Sequence, residues 1–458
     1  MTLDVPHELL SRYDQPGPRY TSYPTAPVWN PEFGPGDHRD SLIRANEQDG
    51  VGMSLYVHVP FCRSMCFYCG CSVIISRDPK NGDRYVDEVL QEAALARATL
   101  QAARPVVQHH WGGGTPTFLS TEQLERLFKG LAAIYPHAPD AEVSIEVDPR
   151  VTSVEQLEVL RGCGFNRISM GVQDFDEQVQ VAINRVQSYE LTRDLVDASR
   201  SLGFTSVNLD LVYGLPHQTV AKFGESIEQV LQLRPDRLAC YGYAHVPWLK
   251  KHQEVISVED LPRGSDKLDL YLLALNAFQG AGYEAIGMDH FALPEDGLVK
   301  AANSGSLHRN FMGYATHQAE DMLSFGVTSI SEIAGAFAQN VKQLNQYREH
   351  LNAGRLPVER GMRRSVDDER RRAIILDLMC RFALDYDDHG GAEAFRQTYS
   401  SAIEALAPLA HDGLVEVDDR GIRVTPTGRL FVRNVAMPFD AYLAKQRAAK
   451  KPMFSRTV

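Results

Sequence analysis

Six short runs rich in β-branched and aromatic residues recur between residues 53 and 243, and a helical pattern fills each gap. The runs cover 53–59, 106–111, 143–147, 167–172, 206–212 and 237–243. The helical patterns lie near 83–102, 121–135, 153–163, 189–202 and 219–233. Regular β–α alternation implies a parallel sheet covered by helices. Six or more such units fit an open or partial (β/α) barrel, which binds ligands at the C-terminal ends of its strands. Residues that directly follow each run are therefore the first candidates for chemistry.

The first run leads into Tyr56-Val-His-Val-Pro-Phe-Cys62-Arg-Ser-Met-Cys66-Phe-Tyr-Cys69-Gly-Cys71. Four of the seven cysteines lie within these last ten residues. Cys62, Cys66 and Cys69 have the spacing C-x3-C-x2-C, which suits thiolates holding an iron–sulfur cluster. A 4Fe–4S cluster with three close ligands keeps one iron open for a substrate or cofactor. Structural zinc usually takes two separated ligand pairs, and no second pair follows at finger spacing. Zinc with Cys71 as fourth ligand, and redox thiols, stay open as alternatives. A disulfide framework would need an oxidising compartment.

The spacing resembles the signature of the radical S-adenosylmethionine (SAM) superfamily, including the aromatic Tyr68 before the third cysteine. The longer string YVHVPFC…CFYCGC resembles the oxygen-independent coproporphyrinogen III oxidase family, as does the stretch GPRYTSYPTA at residues 17–26. The resemblance implies an α/β partial barrel of the radical SAM type. It implies that Cys62, Cys66 and Cys69 hold the cluster and that SAM chelates its open iron. It places a first SAM near Tyr56, Tyr68, Gly113, Glu146 and Ile330. It places a second near Gly114, Thr115, Gln173, Arg185, Asp210 and Ala244. The implied reaction converts two propionates of a tetracarboxylate porphyrinogen into vinyl groups. It uses two SAM per turnover and an electron donor outside the chain. Related radical SAM proteins instead degrade or deliver haem. The haem-delivering ones generally lack both the RYTSYPT arm and the fourth cysteine, here Arg19 to Thr25 and Cys71. A different class of reading is a non-catalytic metal-binding protein.

The motifs at the other strand ends carry their own chemistry. Gly112-Gly113-Gly114-Thr115 after the second run permits close backbone approach, although a tight turn uses the same residues. Glu146 and Asp148 at the third run share a face because strand side chains alternate. A solvated strand end gives the same pattern. Asp210 sits inside an apolar run, where a carboxylate needs a partner, so an arginine or a ligand is expected beside it. Arg185 suits a carboxylate, though alone it reads as an ordinary surface arginine. His308-Arg309-Asn310-Phe311-Met312-Gly313-Tyr314 mixes cationic, amide and aromatic groups suited to a planar anion, or forms a surface loop. Cys163, Cys240 and Cys380 are scattered, as small hydrophobes usually are.

The 458 residues exceed one typical core, so more than one domain is expected. The divisions fall at 1–50, an arm and lead-in; 51–360, the barrel; and 361–458, a C-terminal domain. Three prolines and a glycine in Pro16-Gly17-Pro18-Arg19-Tyr20-Thr21-Ser22-Tyr23-Pro24 favour an extended arm. In the family this arm lies over the site opening. A helical stretch at 366–384 and strand-like pieces at 414–417 and 422–424 suggest a small, mainly helical, winged-helix-like unit. The net charge of −12 disfavours nucleic-acid and anionic-membrane partners. No apolar run approaches the roughly 20 residues of a membrane span. No signal-peptide pattern opens the chain. A cytoplasmic monomer is expected. A tetracarboxylate substrate would meet a repulsive average field, so local arginines such as Arg19 and Arg309 are candidates to offset it.

Overall fold

The computed structural model describes residues 5–316, 319–448 and 454–457. β1 (Met53–Val59), β2 (Val106–Gly113), β3 (His137–Val147), β4 (Arg167–Gln173), β5 (Ser206–Tyr213) and β6 (Arg237–Gly242) lie side by side in chain order, all parallel. β7 (Glu284–Ile286) and β8 (His290–Ala292) extend the β6 edge as an antiparallel pair. β9 (Met322–Phe325) returns to the free edge of β1 as a seventh parallel strand. β10 (Ile330–Ile333), β11 (Ala336–Asn340) and β12 (Val358–Arg363) continue from it antiparallel. The twelve-stranded sheet runs β12-β11-β10-β9-β1-β2-β3-β4-β5-β6-β8-β7 and does not close. This is an α/β partial barrel.

The six runs read from sequence become the six strands β1–β6. Run 143–147 is only the later part of β3, whose earlier part reads His137-Ala-Pro-Asp and meets β2 across a register shift. Two of the helices that connect the strands start at reciprocal caps, Ser120 with Gln123 and Ser153 with Gln156. They cover a core in which Leu55, Val57, Val59, Trp111, Ile145 and Leu209 have no exposed surface. Each such side chain contributes about 1.5–3 kcal/mol on burial.

A second core lies in the C-terminal region. The helix Val366–Arg381, the shorter helices up to His411 and β13 (Ala383–Asp385), β14 (Val415–Val417) and β15 (Gly421–Val424) surround it. It matches the expected mainly helical unit with a short hairpin, to which β13 adds a third strand. The N-terminal arm belongs to this core. Val5, Leu10, Tyr13, Tyr20 and Tyr23 pack with Ile374, Leu378, Phe431 and Val435. Arg433 donates to the carbonyls of Gly17 and Pro18, and the Tyr20 hydroxyl donates to Asp440 at 3.2 Å. Residues further along, Phe33, Leu42 and Ala45, join the barrel core instead. β12 carries the sheet to Arg363, so position 360 falls inside a strand. Among the described residues no helix is long and apolar enough to cross a membrane.

Candidate active site

The C-terminal ends of the parallel strands open on a cavity of about 480 Å³, within the ~300–1,000 Å³ usual for small-molecule sites. Its wall includes Cys62, Cys66, Cys69, Tyr68, Gly113, Gly114, Thr115, Glu146, Gln173, Arg185, Asp210 and Ala244. Tyr56 and Ile330 do not line it. Tyr56 reaches the site indirectly: its hydroxyl meets His58 Nδ1 at 3.2 Å, and its ring stacks on His110. Ile330 starts β10 and gives its carbonyl to the Ser324 hydroxyl.

The cysteine loop is clasped from two sides. Phe61–Cys62 pairs with Ile74–Ile75, which closes the base of the loop. From one side, the Phe67 N–H donates to Ile183 O at 2.9 Å and Asn184 Nδ2 to Met65 O at 2.7 Å. From the other, His252 Nε2 meets Cys69 O at 2.7 Å, Gln253 Nε2 donates to Tyr68 O at 3.0 Å and Lys250 Nζ to Cys71 O at 2.9 Å. Such bonds fix the loop before any ligand arrives.

The thiols sit among cations and donors. Arg150 Nη2 lies 3.3 Å from Cys66 Sγ and Arg185 Nη1 3.7 Å from it. Cys62 Sγ lies 3.4 Å from the Thr115 hydroxyl. Cys69 Sγ accepts the Cys71 N–H at 3.4 Å. Hydrogen bonding from Cys71 pulls the Cys69 thiol down to about 6, whereas burial pushes Cys62 up to about 11. Among the described residues no three His, Cys, Asp or Glu side chains gather around a single ion. A cluster does not require such a gathering, because its thiolates bind separate irons. The donor set and the adjacent guanidiniums fit an anionic iron–sulfur cluster.

Asp148, at the end of β3, pairs with Arg150 at 2.7 Å and with Arg185 at 3.2 Å. Burial raises its carboxyl, but the two guanidiniums outweigh burial and hold it below the ordinary range. Arg185 also donates to Gly171 O at 2.6 Å, and its buried Nε has no partner. A Cβ on Gly171 would sit 2.6 Å from Gln173 Nε2 and 2.9 Å from Arg185 Nη2, so a side chain there would displace both groups. Gln173 itself adopts a left-handed φ of 69°. Non-glycine residues held in that region cluster at ligand sites.

Asp210 projects from β5 and accepts from Asn208 Nδ2 at 2.7 Å and Ser169 Oγ at 3.1 Å. Among the described residues it has no ion pair. Burial, with help from the Glu146 charge, pushes its carboxyl up to about 6. Of the two partners expected from sequence, an arginine or a ligand, the arginine is engaged elsewhere, by Asp148.

Glu146 faces the cavity, with 48% of its side chain open. Burial of its surroundings opposes its charge, but His110 and the Gly113 N–H prevail and lower its pKa. The glycine run serves packing as well as access. Gly113 has φ 117°, and a Cβ there would strike the His58 ring at 2.7 Å. The His308–Asn310 string forms a buried strand paired with Gly313–Ala315, not a surface loop. Arg309 lies over the Tyr314 ring at 4.4 Å, away from the cavity wall, whereas Arg19 lines the wall.

The sequence reading overlooked Arg150, Asn184, His252 and Gln253. Arg150 carried a usable signal, since it stands two residues after a rim carboxylate. The segment 250–253 carried none, because Lys-Lys-His-Gln reads as an ordinary polar loop.

Residues 56–230 match the family model of the radical SAM superfamily, and residues 365–431 match that of the HemN C-terminal domain. Fold and site together define a radical SAM enzyme. The chain is 44% identical to the oxygen-independent coproporphyrinogen III oxidase of Escherichia coli strain K12, over 98% of both chains. It is 42% identical to that of Synechocystis, covering 100% of this chain and 99% of the relative. The solved structure of coproporphyrinogen III oxidase (HemN) from Escherichia coli superposes with a TM-score of 0.90 at 42% identity, covering 96% of this chain and all of that one. The chain belongs to the oxygen-independent coproporphyrinogen III oxidase family. That family implies a 4Fe–4S cluster and SAM, which the residues described above fit.

Proposed function

We propose that the chain oxidatively decarboxylates two propionate side chains of coproporphyrinogen III, giving protoporphyrinogen IX in haem biosynthesis. The observation that carries this reading is the cavity at the strand ends. It brings three thiols, a rim glutamate and a second polar set of Gln173, Arg185 and Asp210 onto one wall. Cys62, Cys66 and Cys69 would hold the cluster, which with SAM would supply the radical chemistry needed to take a hydrogen from the propionate β-carbon. The substrate radical then loses carbon dioxide and one electron to leave a vinyl group. The electron that starts the reaction comes from a donor outside the chain.

The residues bind and orient. Glu146, with Tyr68 and Gly113 beside it, suits the first SAM. Tyr56 supports that set through His58 and His110. Ile330 stays a candidate by family resemblance alone. Gly114, Thr115, Gln173, Arg185, Asp210 and Ala244 form the set suited to a second SAM, since two propionates require two hydrogen abstractions. Asp210, with only neutral partners, can accept from a ribose or meet a cation. Arg185 keeps a free Nε for a carboxylate. The wall holds four arginines, Arg19, Arg63, Arg150 and Arg185, against three carboxylates. That local balance opposes the −12 of the whole chain and favours an anionic substrate.

Anaerobic reconstitution with iron, sulfide and SAM, followed by coproporphyrinogen III and a chemical reductant, tests the reading. The expected result is two carbon dioxide per protoporphyrinogen IX formed, with two SAM cleaved. SAM cleavage without carbon dioxide, or haem binding without turnover, overturns it.

A further inference from the structure

A second, much smaller cavity of about 60 Å³ lies against the active site. Arg19 and Gly242 line both cavities, so the two share a wall. Three parts of the fold build the small one. The arm gives Arg19, the strand ends give Tyr213 and Gly242, and the C-terminal region gives Arg429 and Arg433.

Its charges do not cancel. Among the described residues three guanidiniums face one carboxylate, Asp289. Asp289 is already engaged by His290 Nδ1 at 2.7 Å and lies 3.9 Å from Arg19. Arg433 is 5% exposed and spends its donors on the carbonyls of Gly17, Pro18 and Arg456, with no acid beside it among the described residues. Arg429 rests over the Phe382 ring at 4.5 Å, and its guanidinium has no hydrogen bond among the described residues. The Tyr213 hydroxyl likewise has no hydrogen-bond partner among them. Burial first, and neighbouring cations such as Arg19, drive Arg433 down to about 9 and Lys267, over the Tyr213 ring, down to about 8. Of the three guanidiniums only Arg433 is buried, and a buried charge without a counter-ion is costly. Arg429 is exposed and Arg19 half-exposed, so they stand at the rim of a pocket suited to an anion.

Size limits which anion. A water occupies about 10–15 Å³ of such space, so the pocket takes a carboxylate but neither SAM nor a macrocycle. We propose that it is the subsite for one propionate carboxylate of the substrate, anchoring the macrocycle while another propionate is presented in the main cavity. This rests on the porphyrinogen reading above. The arm thereby closes the pocket and joins substrate recognition to the C-terminal region.

The test titrates the cluster-loaded, SAM-bound chain anaerobically with coproporphyrin III, the fluorescent oxidised form of the substrate. Loss of one charge-assisted contact should weaken binding about tenfold or more in Arg429→Gln. Arg429→Lys should recover part of that, and Tyr213→Phe should lose about threefold. Iron content and SAM binding should match wild type in all three. Unchanged coproporphyrin affinity in both Arg429→Gln and Tyr213→Phe overturns the proposal. So does equal weakening in Arg429→Gln and Arg429→Lys with loss of iron, which marks a structural role. Inorganic phosphate that binds wild type but not Arg429→Gln, with coproporphyrin affinity equal in both, overturns it in favour of a free-anion site. Wild type that neither binds coproporphyrin III nor decarboxylates coproporphyrinogen III overturns the functional reading itself, which separates the two failures.

Discussion

Asp148 and Asp210 stand on neighbouring walls of one cavity and live in opposite environments. Asp148 has two arginines, which hold its carboxyl low. Asp210 has an asparagine and a serine, which leave it raised to about 6. On the first wall the carboxylate is paired within the protein, and the same arginines reach Cys66, with the Arg185 Nε alone left over. The second is incomplete, since a buried carboxylate met only by neutral groups keeps much of its desolvation cost. One wall is scaffold for the cluster and the other awaits a ligand.

The largest effect should come from the thiols of the first wall. Cys66→Ser, reconstituted anaerobically, is expected to lose the brown cluster absorbance and all SAM cleavage. Cys71→Ser should keep its iron, because Cys71 is not among the three spaced ligands. Full iron in Cys66→Ser, or none in Cys71→Ser, breaks the assignment. Next in size is Asp148→Ala. Removing one partner of a buried ion pair costs about 3–5 kcal/mol, and here it strands Arg185 and Arg150 together. Chemical denaturation of the metal-free chain should show that loss, and a change under about 1 kcal/mol would mean the pairing contributes little.

The two aspartates should also respond to pH with opposite signs. Asp148 is depressed below its ordinary 3.8, so its stabilisation is present above that value and disappears as pH falls through its lower folded pKa. Asp210 is raised, so the folded chain holds its proton more tightly than the unfolded one. Its contribution is present below 3.8 and disappears as pH rises through about 6. Asp210→Asn should therefore flatten the stability decline between about pH 4 and 6. It should be more stable than wild type at pH 7 by about 1–3 kcal/mol without ligands. With SAM present the sign of the benefit reverses. Asp210→Ala should keep the cluster and bind one fewer SAM per chain by equilibrium dialysis, since a weakened site empties at fixed ligand concentration. Equal SAM occupancy in the two proteins would remove the second site.

The incomplete wall was the more legible of the two in sequence. Asp210 stood out as a carboxylate in an apolar run, and its need for a partner followed from that alone. The first wall was not legible, because Arg185 meets Asp148 across 37 positions of chain and no local pattern encodes that contact. The same division holds for the fold. β1–β6 were readable because their apolar runs alternate with capped helices. β9–β12 were not: β9 and β10 have four residues each, and tight turns at Gly326 and Gly335 separate them from their neighbours. The arm illustrates a third case. Its proline-rich extended path was readable, but Tyr20 and Tyr23 enter the C-terminal core. Deleting it would therefore damage that core as well as the site, and a point change at Arg19 isolates the site effect.

The smallest expected effect concerns Tyr56, which the family resemblance places at the first SAM and the structure sets behind the cavity wall. Its hydroxyl meets His58 Nδ1, and His58 Nε2 meets the Ser72 carbonyl at 2.9 Å. That carbonyl can only accept, so Nε2 carries the hydrogen. Burial lowers the His58 pKa and keeps the ring neutral, so Nδ1 accepts from Tyr56. The ring thus held is the wall against which Gly113 turns. Tyr56→Phe leaves one buried acceptor unpaired, at about 1–3 kcal/mol, and leaves the ring stack on His110 in place. The expected outcome is a lower denaturation midpoint with unchanged iron and SAM stoichiometry, and a Kd for SAM within about threefold of wild type, because the lost bond acts through His58. A tenfold or greater loss of SAM affinity with unaltered stability would instead put the hydroxyl in direct contact with SAM and move Tyr56 onto the ligand wall beside Glu146.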